Sequence, residues 1–314
     1  MTYKNKLYFL TALIAVMVLL YSGSLILNSD IGTKRSSFAW MDSKTAEKTT
    51  KIAVSAGEEK FELIKQNKMW VVLYNGNAYP ARDVRVQDFL SFFTTRDSWQ
   101  VRSSSASTHE RFGLGADASS VSFYADNVLQ LELLLGYEDP NNRSESFFRR
   151  QGQNEVRSGN SSISAYVSSA VSNWYNLRLV SDSGGSHVDL NTVQRLSIYA
   201  PDETQIFTRR NRGWVISGIE IADPDIPAIE SYIRGILSAE GDNFSDTVSV
   251  NDQIYNHSRL VLELGNGNVV TIRLSDPDES GRVFANVSGS ELIYSIPAWS
   301  AGRLFREAAS FEMQ

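Results

Sequence analysis

The sequence predicts an α+β protein: two tandem repeats of a small module of antiparallel sheet plus helices, preceded by one transmembrane helix. Three observations lead to this prediction. An uncharged apolar run, Leu7–Leu27, lies near the N-terminus. The segment Asn67–Pro80 (NKMWVVLYNGNAYP) returns 144 residues later as Asn211–Pro224 (NRGWVISGIEIADP). Around both segments, apolar residues change from a two-residue spacing to a helical spacing.

The uncharged run Leu7–Leu27 predicts a membrane anchor. Its 21 residues would form a helix of about 30 Å, the thickness of a bilayer core. Lys4 and Lys6 precede it, so the positive-inside rule places residues 1–6 in the cytoplasm and the bulk of the chain across the membrane. A cleaved signal peptide is the alternative, with Ser22–Ser24 supplying small residues for cleavage. The apolar run continues beyond those residues, which favours a retained anchor.

Composition narrows the class of protein. Residues 28–50 are polar without clear periodicity and are interpreted as a stalk. The chain has no cysteine, which excludes thiol nucleophiles and cysteine-ligated metals. An exported protein of this length can do without disulfides because two full-sized cores suffice. The net charge of −6 argues against a nucleic-acid partner.

Each copy begins with short alternating segments that predict strands. When residues 52–93 are laid over residues 196–237 without a gap, apolar residues fall on apolar residues, which indicates a duplication. The Trp-Val-apolar segment of each copy predicts a third strand. The first two predicted strands are Lys51–Ala56 and Lys60–Leu63 in one copy, and Arg195–Tyr199 and Gln205–Thr208 in the other.

A helix is predicted after the third strand of each copy. In the second copy Asp225 suits an N-cap, and apolar residues recur at helical spacing from Ile226 to Leu237. In the first copy the residues from Val86 to Phe93 show the same spacing. A tryptophan in each third strand buries a large area and pins that strand to the helix. The predicted structural core residues are Trp70, Trp214, Pro80 and Pro224.

A hairpin and a closing helix complete each copy. Leu260–Leu274 alternates apolar residues around Asn266 and Gly267, a dipeptide favoured in tight turns. Its counterpart is Val121–Leu135, with the turn at Ala125–Asn127. Turns follow the hairpins at Asp139–Pro140 and Asp276–Pro277, and the closing helices are predicted at Ile163–Trp174 and Pro297–Phe311. Residues 181–188, rich in Gly and Ser, are the predicted linker between a first repeat (51–180) and a second (189–314).

The sequence offers no set of residues for catalysis, so we expect a protein that is not an enzyme and has no cofactor or metal. The histidines His109, His187 and His257 stand far apart, and no cysteine joins them. The acidic stretches Asp223–Asp225 and Asp276–Glu279 suit turns and caps, and they lack the spacing of a calcium loop. No nucleophile elbow and no phosphate-binding glycine loop appears.

The candidate partner-binding residues are Phe147, Phe148, Arg149 and Arg150. Two adjacent aromatic residues beside paired arginines suit an exposed anchor, since interfaces are enriched in both residue types. The alternative is an edge strand with one phenylalanine inward and the arginines in solvent. The alternative is favoured, because Phe148 aligns with Phe284 of the second copy.

Several of these segments together resemble one family. The strand ending in Trp-Val, the helix after a proline, and His109–Leu114 (HERFGL) before a new strand resemble domain of unknown function 4340. Leu135-Gly136 matches the Leu-Gly that ends the family's hairpin, whereas Ser275 replaces that glycine in the second copy. The resemblance covers most of residues 51–312, as two tandem copies. It implies a membrane-anchored module of bacteria, often encoded beside ABC transporters, with no established activity or cofactor.

We therefore expect a membrane-anchored extracytoplasmic scaffold or accessory protein that binds another protein. Components of an ABC-type transport system are the partner that the resemblance implies. The alternative is a cell-envelope module that binds glycan or lipid in a groove between the repeats, lined by aromatics such as Trp99 or Tyr137. An envelope hydrolase would need a clustered catalytic set. The expected location is the bacterial cytoplasmic (inner) membrane, with the bulk of the chain on the periplasmic or extracellular side.

Overall fold

The computed structural model describes residues 12–23, 35–181, 187–211, 213–217, 224–252, 254–255, 258–306 and 308–312. The chain divides into two compact units. The first unit comprises Met1–Ala78 and Asp83–Val171, and the second comprises Tyr79–Arg82 and Ser172–Gln314. The short segment Tyr79–Arg82 therefore belongs with the second unit, although the chain on both sides of it belongs with the first.

The described part of the N-terminal apolar run is helix α1, residues 12–23, whose large apolar side chains are exposed. Across the described ranges, no helix combines the length and the apolar character needed to cross a membrane. On this finding, the prediction of a transmembrane anchor at Leu7–Leu27 is wrong. Residues 7–11 and 24–27 of that run lie outside the described residues.

The fold is mostly β, with two large antiparallel sheets and few helices. The predicted α+β class, a module of sheet plus helices behind a membrane helix, is therefore wrong. Most of the predicted strands exist, and further strands occupy stretches that the sequence analysis left unassigned. Asp97–Ser103 (DSWQVRS) is one of them, and its Ser, Gln and Arg side chains weaken the strand signal.

The two closing helices are also wrong as predicted. Ile163–Trp174 breaks into a short helix, Ser162–Val167, and a 3₁₀ turn, Val171–Trp174. Serines in this stretch bond to the backbone instead of supporting a helix; the Ser169 hydroxyl, for example, donates to the Tyr166 carbonyl over 2.7 Å. Pro297–Phe311 likewise divides into short pieces: Ala298–Ala301, Gly302–Leu304 and Ala308–Phe311.

The first unit is built on a ten-stranded sheet with the order β1-β6-β10-β9-β8-β7-β2-β3-β4-β5. Helix α3 lies on one face of it and buries Val86, Phe89, Leu90 and Phe93, the residues predicted for that helix. The elements are β1 (Arg35–Phe38), α2 (Ser43–Glu47), β2 (Lys51–Ala56), β3 (Glu59–Gln66), β4 (Met69–Tyr74), β5 (Asn77–Pro80), α3 (Asp83–Thr94), β6 (Asp97–Ser103), β7 (Ser119–Ala125), β8 (Val128–Asp139), β9 (Asn142–Arg150), β10 (Val156–Asn160) and α4 (Ser162–Val167).

The second unit is built on an eight-stranded sheet with the order β13-β12-β11-β15-β16-β17-β18-β14. Asp225 caps helix α5 as predicted, because its side chain accepts a hydrogen bond from the Ala228 N–H. The elements are β11 (Val193–Tyr199), β12 (Thr204–Arg210), β13 (Gly213–Ser217), α5 (Ile226–Leu237), β14 (Asn243–Ser245), β15 (Ser258–Leu264), β16 (Val269–Leu274), β17 (Arg282–Val287), β18 (Ile293–Pro297) and α6 (Ala298–Ala301).

The two sheets share one strand order. Without β1 and β5, the first sheet reads β6-β10-β9-β8-β7-β2-β3-β4, and the second reads β14-β18-β17-β16-β15-β11-β12-β13. Each sheet therefore pairs its strands in the same sequence-order pattern. The register also agrees: Leu63 lies opposite Val72, and Phe207, 144 positions later, lies opposite Ile216. Both units therefore have the same strand connectivity.

Candidate functional site

The candidate partner-binding residues Phe147 and Phe148 lie on β9 and point to opposite faces of the sheet, as consecutive strand residues do. Phe148 is fully buried and meets the Trp99 ring edge-on, with the ring centroids 5.4 Å apart. Phe147 is buried against Phe112, at a centroid distance of 4.7 Å. Neither ring offers a surface to a partner, and Trp99, which is also fully buried, cannot line an open cleft.

The two arginines after them also bind within the chain. Arg149 donates from Nη1 to the Gln153 carbonyl over 3.1 Å and from Nη2 to the Leu114 carbonyl over 3.3 Å. Burial lowers the pKa of Arg149 from its usual value, because it disfavours the charged guanidinium. Arg150 makes a long bond, 3.5 Å, from Nη2 to the Gln130 carbonyl. Arg149 thus fastens the loop that carries Leu114.

That loop, residues 104–118, is the motif loop, and it contains the Gly-Leu sequence of the family resemblance. Leu114 is fully buried in a cluster with Leu134, Phe147 and Val156. The motif loop lies directly on the Leu-Gly sequence of β8. A Cβ on Gly136 would clash with the Phe112 carbonyl, so only glycine allows this close approach. Both motifs therefore serve packing: Leu114 fills the space between the motif loop and the sheet, and Gly136 lets the loop lie against the sheet.

Beside the motif loop, one aromatic side chain of β8 is exposed to solvent. Tyr137, on β8, is 65 % exposed, and its ring lies against Gly113, which has a positive φ of 71°. A cavity of about 240 Å³ beside it is also lined by Glu110 and Asp117. We call Tyr137, Glu110 and Asp117 the Tyr137 patch. An exposed aromatic ring on a strand, bordered by carboxylates, can bind a cationic side chain through ion pairing and cation–π contact.

A buried ionic network braces the same sheet without forming a catalytic site. Asp139 pairs with Arg102, and Glu145 pairs with Arg35 over 2.8 Å. Burial alone would raise the pKa of Glu145, but hydrogen bonds from Ser158 and Arg35 outweigh it and lower the pKa below its usual value. The carboxylates are paired rather than open, so this network ties strands together.

The remaining residues considered for chemistry do not converge. His109 donates from Nε2 to the Asn154 carbonyl over 3.0 Å, His187 is exposed, and His257 lies outside the described residues. Asp278 accepts bonds from Ser280 and Arg282 within a turn, and these bonds lower its pKa. In the stretches that the structure describes, no three His, Cys, Asp or Glu side chains are grouped as metal ligands.

Of the predicted core residues, the two tryptophans lie in matching strands, β4 and β13. Trp70 and Trp214 are each only 2 % exposed, whereas Pro80 and Pro224 are half-buried. Sequence reasoning missed the Tyr137 patch as a site, because Tyr137 was named only as a groove residue. The signal available was the Leu-Gly-Tyr order on β8, since a tyrosine after a packing glycine sits next to the motif loop.

Comparison with known proteins gives one family. The sequence profile described as "Domain of unknown function (DUF4340)" matches residues 70–252, more than half of the chain. No curated protein and no solved structure matches the chain. The matched segment begins at Trp70 and includes the whole motif loop together with Gly136 beneath it. The chain belongs to the family of domain of unknown function 4340.

Proposed function

We propose that this protein is a non-enzymatic accessory or scaffold protein that binds a partner protein through the Tyr137 patch. The observation that carries the proposal is the large exposure of Tyr137 on a strand that the motif loop covers. Protein interfaces are enriched in tyrosine, and their strongest residues are aromatic anchors. The paired or scattered acidic and basic groups elsewhere in the described chain supply no comparable site for a reaction.

The chemistry of the patch specifies the partner segment. Glu110 and Asp117 line the cavity beside Tyr137, and no basic residue lines it. A segment that carries arginine or lysine complements this surface, because its cation pairs with the carboxylates and lies over the tyrosine ring. The resemblance makes a component of an ABC-type transport system the candidate partner. The bonds between exposed charges weaken with salt, so binding should fall as ionic strength rises.

We infer further that the two units are tandem copies of one ancestral module. The shared strand order and the shared register at an offset of 144 residues support this inference. The motif loop sets the copies apart: in the second unit the corresponding Leu-Gly is Leu274-Ser275. The Tyr137 patch is therefore proposed as a property of the first unit alone.

Site-specific photo-crosslinking tests the proposed function. A photoreactive phenylalanine analogue at position 137 of the full-length chain should give adducts with a basic segment of one partner, identified by mass spectrometry. Trp299 is 66 % exposed and provides a matched control position. Tyr137→Ala should weaken binding to the identified partner about tenfold or more, whereas Trp299→Ala should leave it unchanged.

Two outcomes would contradict the proposal. Equal adducts from positions 137 and 299 would show that exposure alone causes the labelling. Adducts of position 137 with glycan or lipid, and with no protein, would move the assignment to a ligand-binding module of the cell envelope. The double substitution of Glu110 and Asp117 by Gln and Asn separates the contributions, since it should remove the salt dependence while leaving Tyr137 in place.

A further inference from the structure

A second cavity in the first unit has a different chemistry. It has a volume of about 350 Å³, within the range of small-ligand pockets, and it lies among α2, α3 and the strands β3 and β4. We call it the Trp70 pocket. Its lining includes Glu47, Lys65, Trp70, Gln87, Leu90 and Thr94. The pocket shares no lining residue with the Tyr137 patch. An experiment can therefore reject the function proposed for one of them without affecting the other.

Trp70 lines this pocket and carries a buried hydrogen-bond donor without a partner in the described chain. The residue is almost fully buried, and its indole Nε1–H has no acceptor among the residues that the structure describes. An indole N–H can only donate, so water or a ligand must supply an acceptor or the group stays unsatisfied. Buried polar groups are satisfied in most native proteins, and each exception calls for an explanation.

Lys65 brings a second unused donor. Its Nζ lies 5.8 Å from the centroid of the Trp70 ring, and its ammonium has no ion pair within the described chain. The exposed Glu47 carboxylate also lines the pocket but does not pair with Lys65. Two donors with no acceptor of their own thus stand side by side, one of them charged.

The second unit shows the equivalent position with its cation bonded to acceptors. Arg209 and Trp214 lie 144 residues after Lys65 and Trp70, with the guanidinium 4.9 Å from the indole centroid. There, Arg209 donates from Nε to the Val193 carbonyl over 3.1 Å and from Nη2 to the Leu190 carbonyl over 3.0 Å. The second unit satisfies its cation with backbone acceptors, whereas the first leaves its cation beside an open cavity.

We propose that the Trp70 pocket binds a carboxylate group. One oxygen accepts the Trp70 Nε1–H, and the other pairs with the Lys65 ammonium, which is the acceptor arrangement that both donors lack. Nε1 has almost no accessible surface, so side chains that line the pocket must move as the ligand enters, and Lys65, which lies over the ring, is a flexible one. Two groups oppose an anion: Glu47 in the lining, and Asp83, whose Oδ1 accepts the Trp70 backbone N–H over 3.3 Å. The carboxylate can come from a small organic acid or from an acidic polypeptide.

The direct test is the indole region of a proton–nitrogen NMR correlation spectrum of the full-length protein. The chain has six tryptophans, and Trp70→Phe identifies the Trp70 signal. Sodium acetate and a short peptide with a free terminal carboxylate are the two probes, each compared with sodium chloride at equal ionic strength. The Trp70 Nε1–H signal should shift to saturation with a carboxylate probe, while the Trp214 signal should not move.

The response to the two probes identifies the source of the ligand. Saturation by both supports a site for small organic acids, and saturation by the peptide alone supports an acidic polypeptide. A shift of Trp70 that never saturates, or that sodium chloride and the Trp214 signal reproduce, would overturn the proposal.

Three variants refine the test. Lys65→Met keeps the hydrocarbon stem and removes the charge, and it should weaken the binding of the probe about tenfold. Arg209→Met is the matched control at the equivalent position of the second unit, and it should leave binding unchanged. Glu47→Gln removes an opposing charge and should tighten binding about two- to fivefold. Equal affinity in the wild-type and Lys65→Met proteins would show that Trp70 and Lys65 do not act on one carboxylate.

Discussion

Single residues decide how the motif loop lies on its sheet. Leu114 is fully buried, and Gly136 leaves the space that the Phe112 carbonyl occupies. Arg149 then holds the loop through the Leu114 carbonyl. The resemblance to the family rested partly on these Gly-Leu and Leu-Gly sequences, and the structure gives them a steric reason. Tyr137 beside them is exposed, so it is the residue of this region that is free to contact a partner.

Gly136→Ala should destabilise the protein by about 2 kcal/mol. The new methyl group would clash with the Phe112 carbonyl, and backbone cannot retreat as a flexible side chain can. Gly235→Ala is the control, because nothing lies within 4 Å of its new methyl group and the residue is inside helix α5. That substitution should stabilise the protein by about 0.5–1 kcal/mol. Urea unfolding of both variants measures the difference, and equal shifts of the two midpoints would refute the steric explanation.

At the scale of elements, sequence patterns located the strands that have a clean alternation. Lys51–Ala56 is a strand with the predicted bounds, and the hairpin around Asn266 and Gly267 is present. Helix α5 was also foreseen from its N-cap and its apolar spacing. These segments succeed because one face is buried and the other is in solvent, so the pattern reports the structure directly.

Two strands lack that contrast: β9, which the sequence analysis interpreted as an edge strand but which lies between β8 and β10, and β18, which was not predicted. On β9 the apolar residues Phe147 and Phe148 are adjacent and both buried, one on each face, since the motif loop covers the face that would otherwise be in solvent. On β18 four consecutive residues are buried. A strand covered on both faces has no alternation to read, which is why the predicted class contained too much helix and too little sheet.

The N-cap of α5 makes a quantitative prediction at this scale. Asp225→Ala removes the bond from the Ala228 N–H to Oδ1, 3.0 Å long, and should cost about 1 kcal/mol of stability. Ser161→Ala is the matched control, because Ser161 stands at the N-cap of α4 but its side chain makes no capping bond. Thermal unfolding measures both. A loss from Ser161→Ala as large as that from Asp225→Ala would show that capping is not the cause.

For the whole molecule, the division of the chain into two units is the property that the sequence predicts least well. The sequence analysis placed the whole of residues 51–180 in one repeat, whereas Tyr79–Arg82 and the chain from Ser172 belong with the second unit. The offset of 144 residues revealed the shared pattern but not the assignment of this segment to the second unit, because no periodicity in the sequence marks that assignment.

Tyr79 gives this division a test. Its buried ring stacks on Phe244 at 5.3 Å, and its hydroxyl donates to Asp246 over 3.1 Å. Tyr79→Ala should therefore destabilise the second unit by about 3 kcal/mol while leaving the first unit little changed. Hydrogen exchange with mass spectrometry, read separately for peptides of each unit, measures this. Val84→Ala, at an exposed position nearby, is the control. Faster exchange confined to the first unit would contradict the division.

The place of Tyr79–Arg82 also has a consequence for biosynthesis. The ribosome makes Tyr79 165 residues before Phe244, its ring partner. At bacterial to eukaryotic elongation rates this interval lasts roughly ten to thirty seconds. During that time the nascent first unit can fold around its own sheet, but the Tyr79 ring lacks its partner Phe244. The Tyr79 ring can therefore reach its contact with Phe244 only late in synthesis, and a chain released before Phe244 is translated leaves the Tyr79 ring without this partner.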